Sequence, residues 1–246
     1  MPGQPVTGRS VLTMFAAVLI AGCSEMNGPS EGQEAQNLAS RDEAGATSPE
    51  RCRGTLGAIS VENVNVPRGA TCVLAGTRVQ GNVFVRTDAT LEAQGAQIEG
   101  NIQAEDAASI RTSGQTFVGG NIQVKRRAAV HIESTTIDGD LQIEEGGASL
   151  VAQENTVRGN LQFKKAGSAS ISANIIDGDL QLEENRLALV VRNNDVRANL
   201  QVFKNEGGVD IVSNRISQNL QCKENRPAPT GGGNIAGDKE DQCAAL

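Results

Sequence analysis

Two Asp-Gly-Asp bends, Asp138-Gly139-Asp140 and Asp177-Gly178-Asp179, hold the residues of this chain best suited to chemistry. Carboxylate oxygens gathered in a tight turn are the hard ligands that Ca2+ selects, so Asp138, Asp140, Asp177 and Asp179 are the metal candidates. Arg158 lies midway between the two bends, and an ion-pair ladder accounts for these acids more simply than a metal does. His131 is the only histidine; on strand alternation it faces outward, with no nucleophile beside it. A lyase or hydrolase acting on polysaccharides would need outer-face carboxylates or a Ca2+ site, with unpaired Arg or Lys and aromatics. Aromatics make up only 2% of the chain, Trp and Tyr are absent, and the formal net charge is -7. That composition is poor in stacking platforms and gives no electrostatic reason to bind nucleic acid. No catalytic residue, metal, cofactor or nucleic-acid partner is expected.

The elements that position these residues declare themselves as a repeat. A short phrase begins at Gly81 (GNVFV), Gly100 (GNIQA), Gly120 (GNIQV), Gly139 (GDLQI), Gly159 (GNLQF), Gly178 (GDLQL), Ala198 (ANLQV) and Gln218 (QNLQC), with a weaker copy at 62–66. Within each copy the apolar residues alternate with period 2, as in strands with one buried face. Val83 to Leu220, Val85 to Cys222 and Val79 to Ile216 form three core columns, and pairs such as Leu189 and Val191 supply a further strand. The unit is too short for a strand plus a packed helix, and no LxxLxLxxN pattern occurs. The expected fold is all-β: a parallel β-helix, or solenoid, of about eight to nine coils of 19–20 residues, each roughly 4.8 Å above the last. Right-handedness follows the usual chirality of parallel connections.

Four positions before each phrase stand Thr77, Ala96, Thr116, Thr135, Asn155, Asn174, Asn194 and Asn214. Asparagine tolerates tight bends and left-handed backbone, and stacked amides can hydrogen-bond along the axis. The column resembles the asparagine ladders of pectate-lyase-like right-handed β-helices. That likeness is architectural, covers residues 54–246, and brings no catalytic motif.

After each phrase the charge changes sign: Arg86, Glu105-Asp106, Lys125-Arg126, Glu144-Glu145, Lys164-Lys165, Glu183-Glu184, Lys204, Lys223-Glu224. Asp138, Arg158, Asp177 and Arg197 alternate likewise. Across coils about 5 Å apart, alternation stacks opposite charges where repetition would stack like ones. The true repeat is therefore two coils, and the alternation sets register. Beside it runs an outward amide row, Gln103, Gln123, Gln142, Gln162, Gln181, Gln201 and Gln221, flanked by Asn82, Asn101, Asn121, Asp140, Asn160, Asp179, Asn199 and Asn219. A self-satisfied ladder is the first expectation for that row. A flat polar face that docks a glycan or an envelope protein is the functional one.

Cys52 and Cys72, and Cys222 and Cys243, are separated by 20 and 21 residues. One coil of separation brings Cα atoms into disulfide range, so Cys52–Cys72 and Cys222–Cys243 bonds are expected at the two ends. The tail PAPTGGGNIAGDKEDQC is expected to stop the coil through its prolines and glycines. With GTLGAI at 54–59, this tail resembles a group of bacterial exported proteins that carries no activity over to the chain. At the other end Arg9 precedes an apolar run, Val11 to Ala21, closing in Ile20-Ala21-Gly22-Cys23. The run resembles the lipobox of bacterial lipoproteins, which implies lipidation at Cys23 and a location at the cell envelope.

The expected organisation is a signal peptide (1–22), an acidic disordered tether (23–50), an N-terminal cap and first coil (51–80), the β-helix (81–222) and a C-terminal cap (223–246). Such a tether spans roughly 30 Å. The reading is a monomeric, non-enzymatic envelope lipoprotein serving a structural or binding role. A polysaccharide-acting enzyme on the same scaffold is the alternative. A further one is a self-assembling protein resembling bactofilins, which also build β-helices from short Gly-rich coils.

Overall fold

A computed structural model of the chain describes residues 48–145 and 148–246. Cys23, the signal segment and nearly all of the expected tether lie outside the described residues. Each coil contributes one short strand to each of three parallel sheets, always in the same order. The first sheet has eleven strands, from Glu50–Arg51 to Asp238–Asp241; the second has ten, from Gly54–Leu56 to Thr230–Gly232; the third has nine, from Ser60–Val61 to Arg215–Ile216. Pairing is in register with the neighbouring coil throughout, Ile102 beside Ile122 and Leu141 beside Leu161. The architecture is a right-handed parallel solenoid of about ten turns, with no helix among the described residues.

Ten turns exceed the eight to nine expected, and the difference lies at the ends. Glu50–Arg51 pairs with Val64–Asn65, a coil before the first recognisable phrase. Beyond the last phrase, Thr230–Gly232 pairs with Asp210–Val212, Ile235 bridges to Arg215, and Asp238–Asp241 pairs with Asn219–Cys222. The tail therefore continues the coil, and glycine is the reason. Gly231 takes φ 128° with Ile211 so close that a Cβ would lie 2.0 Å from its carbonyl oxygen. Only glycine passes there.

Strand alternation fills the interior as expected. Leu141, Ile143, Leu161, Phe163, Leu180 and Leu182 are fully buried from the first sheet, and Ile137, Val157 and Ile176 from the third. The disulfides close the two ends, with Cα–Cα separations of 5.4 Å for Cys52–Cys72 and 5.2 Å for Cys222–Cys243.

Two corners of each coil turn through a residue at positive φ. Asp106, Arg126, Lys165, Glu184 and Lys204 do so between the first and second sheets, and Glu154, Ala173, Asn193 and Ser213 between the second and third. The residue that follows points inward and is buried, except Arg127, which is exposed and reaches Asp88. At the second-to-third corner these are Asn155, Asn174, Asn194, Asn214 and Asn234. The ladder asparagines thus stand one position after the left-handed residue rather than adopting that backbone themselves.

Asn194 shows how a polar side chain survives in this core. Its Oδ1 accepts from the Asn174 backbone N–H (3.0 Å) and Nδ2 (2.9 Å). Its Nδ2 donates to the Ile171 carbonyl and to Asn214 Oδ1, both at 2.9 Å. Both donors and both acceptor positions are used, so burial leaves nothing unpaired. The first-to-second corner carries a second such ladder that the sequence reading did not anticipate: Asn185 to Asn205 to Asn225, closed by Gln242.

Candidate binding face

The first sheet presents a flat outer face because its strands alternate strictly. Leu161 and Phe163 point in, so Gln162 and Lys164 point out, and in-register pairing stacks each on its counterparts. All seven predicted glutamines fall in one column: Gln103, Gln123, Gln142, Gln162, Gln181, Gln201 and Gln221. Gln123 donates to Gln142 at 3.0 Å, Gln181 to Gln201 at 3.1 Å, and Gln201 to Gln221 at 3.0 Å. Gln221 donates in turn to Glu240 at 3.0 Å, which closes the column at its C-terminal end. At the other end the next residue in line is Phe84. Arg86 braces that ring, its guanidinium carbon 5.4 Å from the centroid and its Nε donating to Asn65 Oδ1 at 2.9 Å.

The charge doublets separate into two columns. On the strand run Glu105, Lys125, Glu144, Lys164 and Glu183, then Phe203, then Lys223. Lys204, expected in that run, lies instead in the adjoining corner column, one place beyond Phe203 and in line with Glu184 and Glu224. Lys164 reaches Glu183 at 3.6 Å and Lys165 reaches Glu184 at 4.0 Å. Arg126 binds Asp106 at 2.9 Å and also Glu105. These hydrogen bonds, Asp106 first, raise the guanidinium pKa above its ordinary value.

The flanking column, expected to share the outer face, is a half-buried corner ladder. Asn121 Oδ1 accepts the Asp140 backbone N–H at 2.7 Å, Asp140 Oδ1 that of Asn160 at 2.7 Å, and Asn160 Oδ1 that of Asp179 at 2.9 Å. This explains the glycine that opens six of the eight phrases. A Cβ on Gly139 would stand 2.1 Å from Asn121 Oδ1, and one on Gly159 2.2 Å from Asp140 Oδ1.

Asp140 and Asp179 are thus ladder members; each Oδ1 also takes the side-chain amide of the asparagine one coil on, Asn160 at 3.2 Å and Asn199 at 3.0 Å. Asp138 and Asp177 face Arg158 and Arg197 at 3.0 and 2.8 Å. Those ion contacts are close but not aligned as hydrogen bonds, which leaves the two enclosed Oδ1 atoms without a hydrogen-bond partner. No group of three or more potential metal ligands is gathered among the described residues. His131 projects from the second sheet between Arg111 and Val151, with Nε2 3.4 Å from Glu133.

No protein-family model, curated protein or solved structure matches the chain. Its outer face is read from its own geometry.

Sequence reasoning missed the outward placement of Phe84 and Phe203. The signal was a one-place shift: in LQFKK Phe163 occupies an inward position, whereas in LQVFK Phe203 occupies an outward one. Phe84 stands where the other phrases carry Gln.

Proposed function

We propose that this solenoid is a rigid, non-catalytic binding module held at the bacterial cell envelope by a lipid on Cys23, with the outer amide face of the first sheet as its docking surface. The observation that carries the reading is the hydrogen-bonded glutamine column. A carboxamide has two N–H donors and two acceptor positions. Three of the six neighbouring glutamine pairs are hydrogen-bonded and Gln142 also donates to Asp140, so these contacts fix amide planes along much of the column while leaving each amide at least one donor and one acceptor position free of them. The ligand then meets a preorganised row rather than mobile side chains. Acids beside the row face cations one coil away, an arrangement suited to holding register rather than to acid–base chemistry.

A self-assembling scaffold is the second reading, favoured by the edge strands Glu50–Arg51 and Asp238–Asp241 of the first sheet. Against it, the carbonyls of Glu240 and Asp241 accept from Cys243 and Ala244, and Leu246 folds against the core. That turn occupies the edge a second copy would need.

The test is capture from envelope fractions by the full chain, with a Gln142→Lys, Gln181→Lys variant alongside. Retention by the parent chain and loss by the variant is expected; equal retention by both overturns the face assignment. Labelled fatty acid should enter the parent chain and not Cys23→Ala, and label in both removes the anchor.

A further inference from the structure

The structure assigns a ligand class to this face: we infer that it binds an extended neutral polysaccharide lying along the solenoid axis, clamped at its two ends by Phe84 and Phe203. The inference rests on the binding-module reading above and deepens it. Phe84 and Phe203 interrupt columns that are otherwise amide or charge, and both rings are half-buried, Phe84 with the Arg86 guanidinium over it. Each lies in a shallow surface depression. One, of about 430 Å³, is shared by Phe84, Arg86, Gln103 and Lys125. The other, of about 250 Å³, is shared by Phe203, Lys204 and Lys223.

Six coil steps separate the two rings along the axis, roughly 29 Å at the usual strand spacing. Between them runs the glutamine row, each amide keeping at least one donor and one acceptor position beyond its contacts within the face. A sugar chain has the matching chemistry. Its axial C–H faces stack on aromatic rings, and its hydroxyls both donate and accept toward a carboxamide. Charge on the face is offset by the opposite sign one coil away, so the polymer it suits is neutral.

A protein partner is disfavoured by what lies between the rings. Protein interfaces are anchored by a central, desolvated cluster of apolar and aromatic side chains. Here the centre is amide and charge, and the two aromatics stand at the margins.

The experiment is calorimetric titration of the full chain with soluble β-1,4-linked cello- and chito-oligosaccharides of increasing length. Affinity should rise with length until the sugar spans both rings and then level off. Phe84→Ala and Phe203→Ala should each weaken the longest probe by about threefold to tenfold, and should leave the shortest probes sensitive to only one of the two. Phe117→Ala, on the third sheet, is the control that changes nothing. All three rings are partly exposed, and circular dichroism checks that each variant stays folded.

Glycan binding untouched by both ring truncations overturns the clamp and leaves the binding-module reading standing. Capture of an envelope protein, lost on replacing Gln142 and Gln181, with no titration by any glycan, overturns the ligand class alone. Absence of both overturns the two proposals together.

Discussion

The Asn194 side chain makes four hydrogen bonds inside an apolar core, and removing it deprives two of its partners outright. Asn194→Ala takes their side-chain partner from the Asn174 N–H and the Ile171 carbonyl, while Asn174 Nδ2 keeps the Ala152 carbonyl and Asn214 Oδ1 keeps the backbone N–H of residue 194. Each buried orphan costs about 1–3 kcal/mol before relaxation, so a total loss of about 3–5 kcal/mol is expected in urea unfolding. Gln162→Ala, on the outer face, should stay within about 0.5 kcal/mol of the parent. If the two variants unfold alike, the inner ladder is not what holds the corner. Asn155 to Asn214 were legible as a column because the same residue type recurs at coil spacing. Asn185, Asn205 and Asn225 were not, because the same corner earlier in the chain is filled by Ala107 and Ala166. The physical requirement there is a small or self-satisfied inward group, and alanine and asparagine meet it in different ways.

The strand and its corner explain why the charges come in doublets. The first of each pair lies on the strand, the second at the left-handed corner residue, and each forms its own alternating row. Reversing Lys164 and Lys165 to Glu sets runs of carboxylates against Glu144 and Glu183 in one row and Glu184 in the other. The corner pair is solvent-exposed and the strand pair partly so, each contributing about 0.2–1 kcal/mol and screened by salt. Thermal melts should therefore show a loss of about 1–2 kcal/mol at low ionic strength that shrinks at high. Equal loss at both would mean the side chains matter for packing rather than for charge. Strand alternation, the parallel solenoid and the disulfide partners were readable from period 2 and the coil spacing, whereas the division into three sheets comes from the structure. The end coils were not, because their pairing depends on backbone freedom rather than on side-chain pattern. Gly231 and Gly232 look like a stop in composition, and yet their positive-φ geometry carries the chain through a strand.

Along the whole solenoid the corners change character, and that difference sets where it opens. Thr77, Ala96, Thr116 and Thr135 fill the second-to-third corner in the N-terminal half. There Thr77 and Thr116 reach the preceding coil through single hydroxyls, Thr77 to the Leu56 and Gly57 carbonyls and Thr116 to the Ala96 N–H and the Ala93 carbonyl, and Ala96 interrupts the chain between them. From Asn155 onward that corner is a continuous amide network, and from Asn185 the other corner is as well. In a solenoid each coil contacts only its neighbours, so stability is a sum of local terms. Aligned amide chains also polarise one another, which makes the C-terminal half more cooperative. The N-terminal coils therefore depend more on their disulfide. Cys52→Ala with Cys72→Ala should strip amide protection from the coils up to about Ile98, while the coils from Asn174 to Asn234 keep theirs. The paired variant Cys222→Ala, Cys243→Ala should fray only the last coil, because Gln242 and Glu240 still close the inner and outer ladders there. Hydrogen-exchange mass spectrometry reads both variants directly. Protection lost evenly along the chain in either one would show a single cooperative unit, and protection lost first around Asn205 would put the weak point in the C-terminal half; either refutes the gradient.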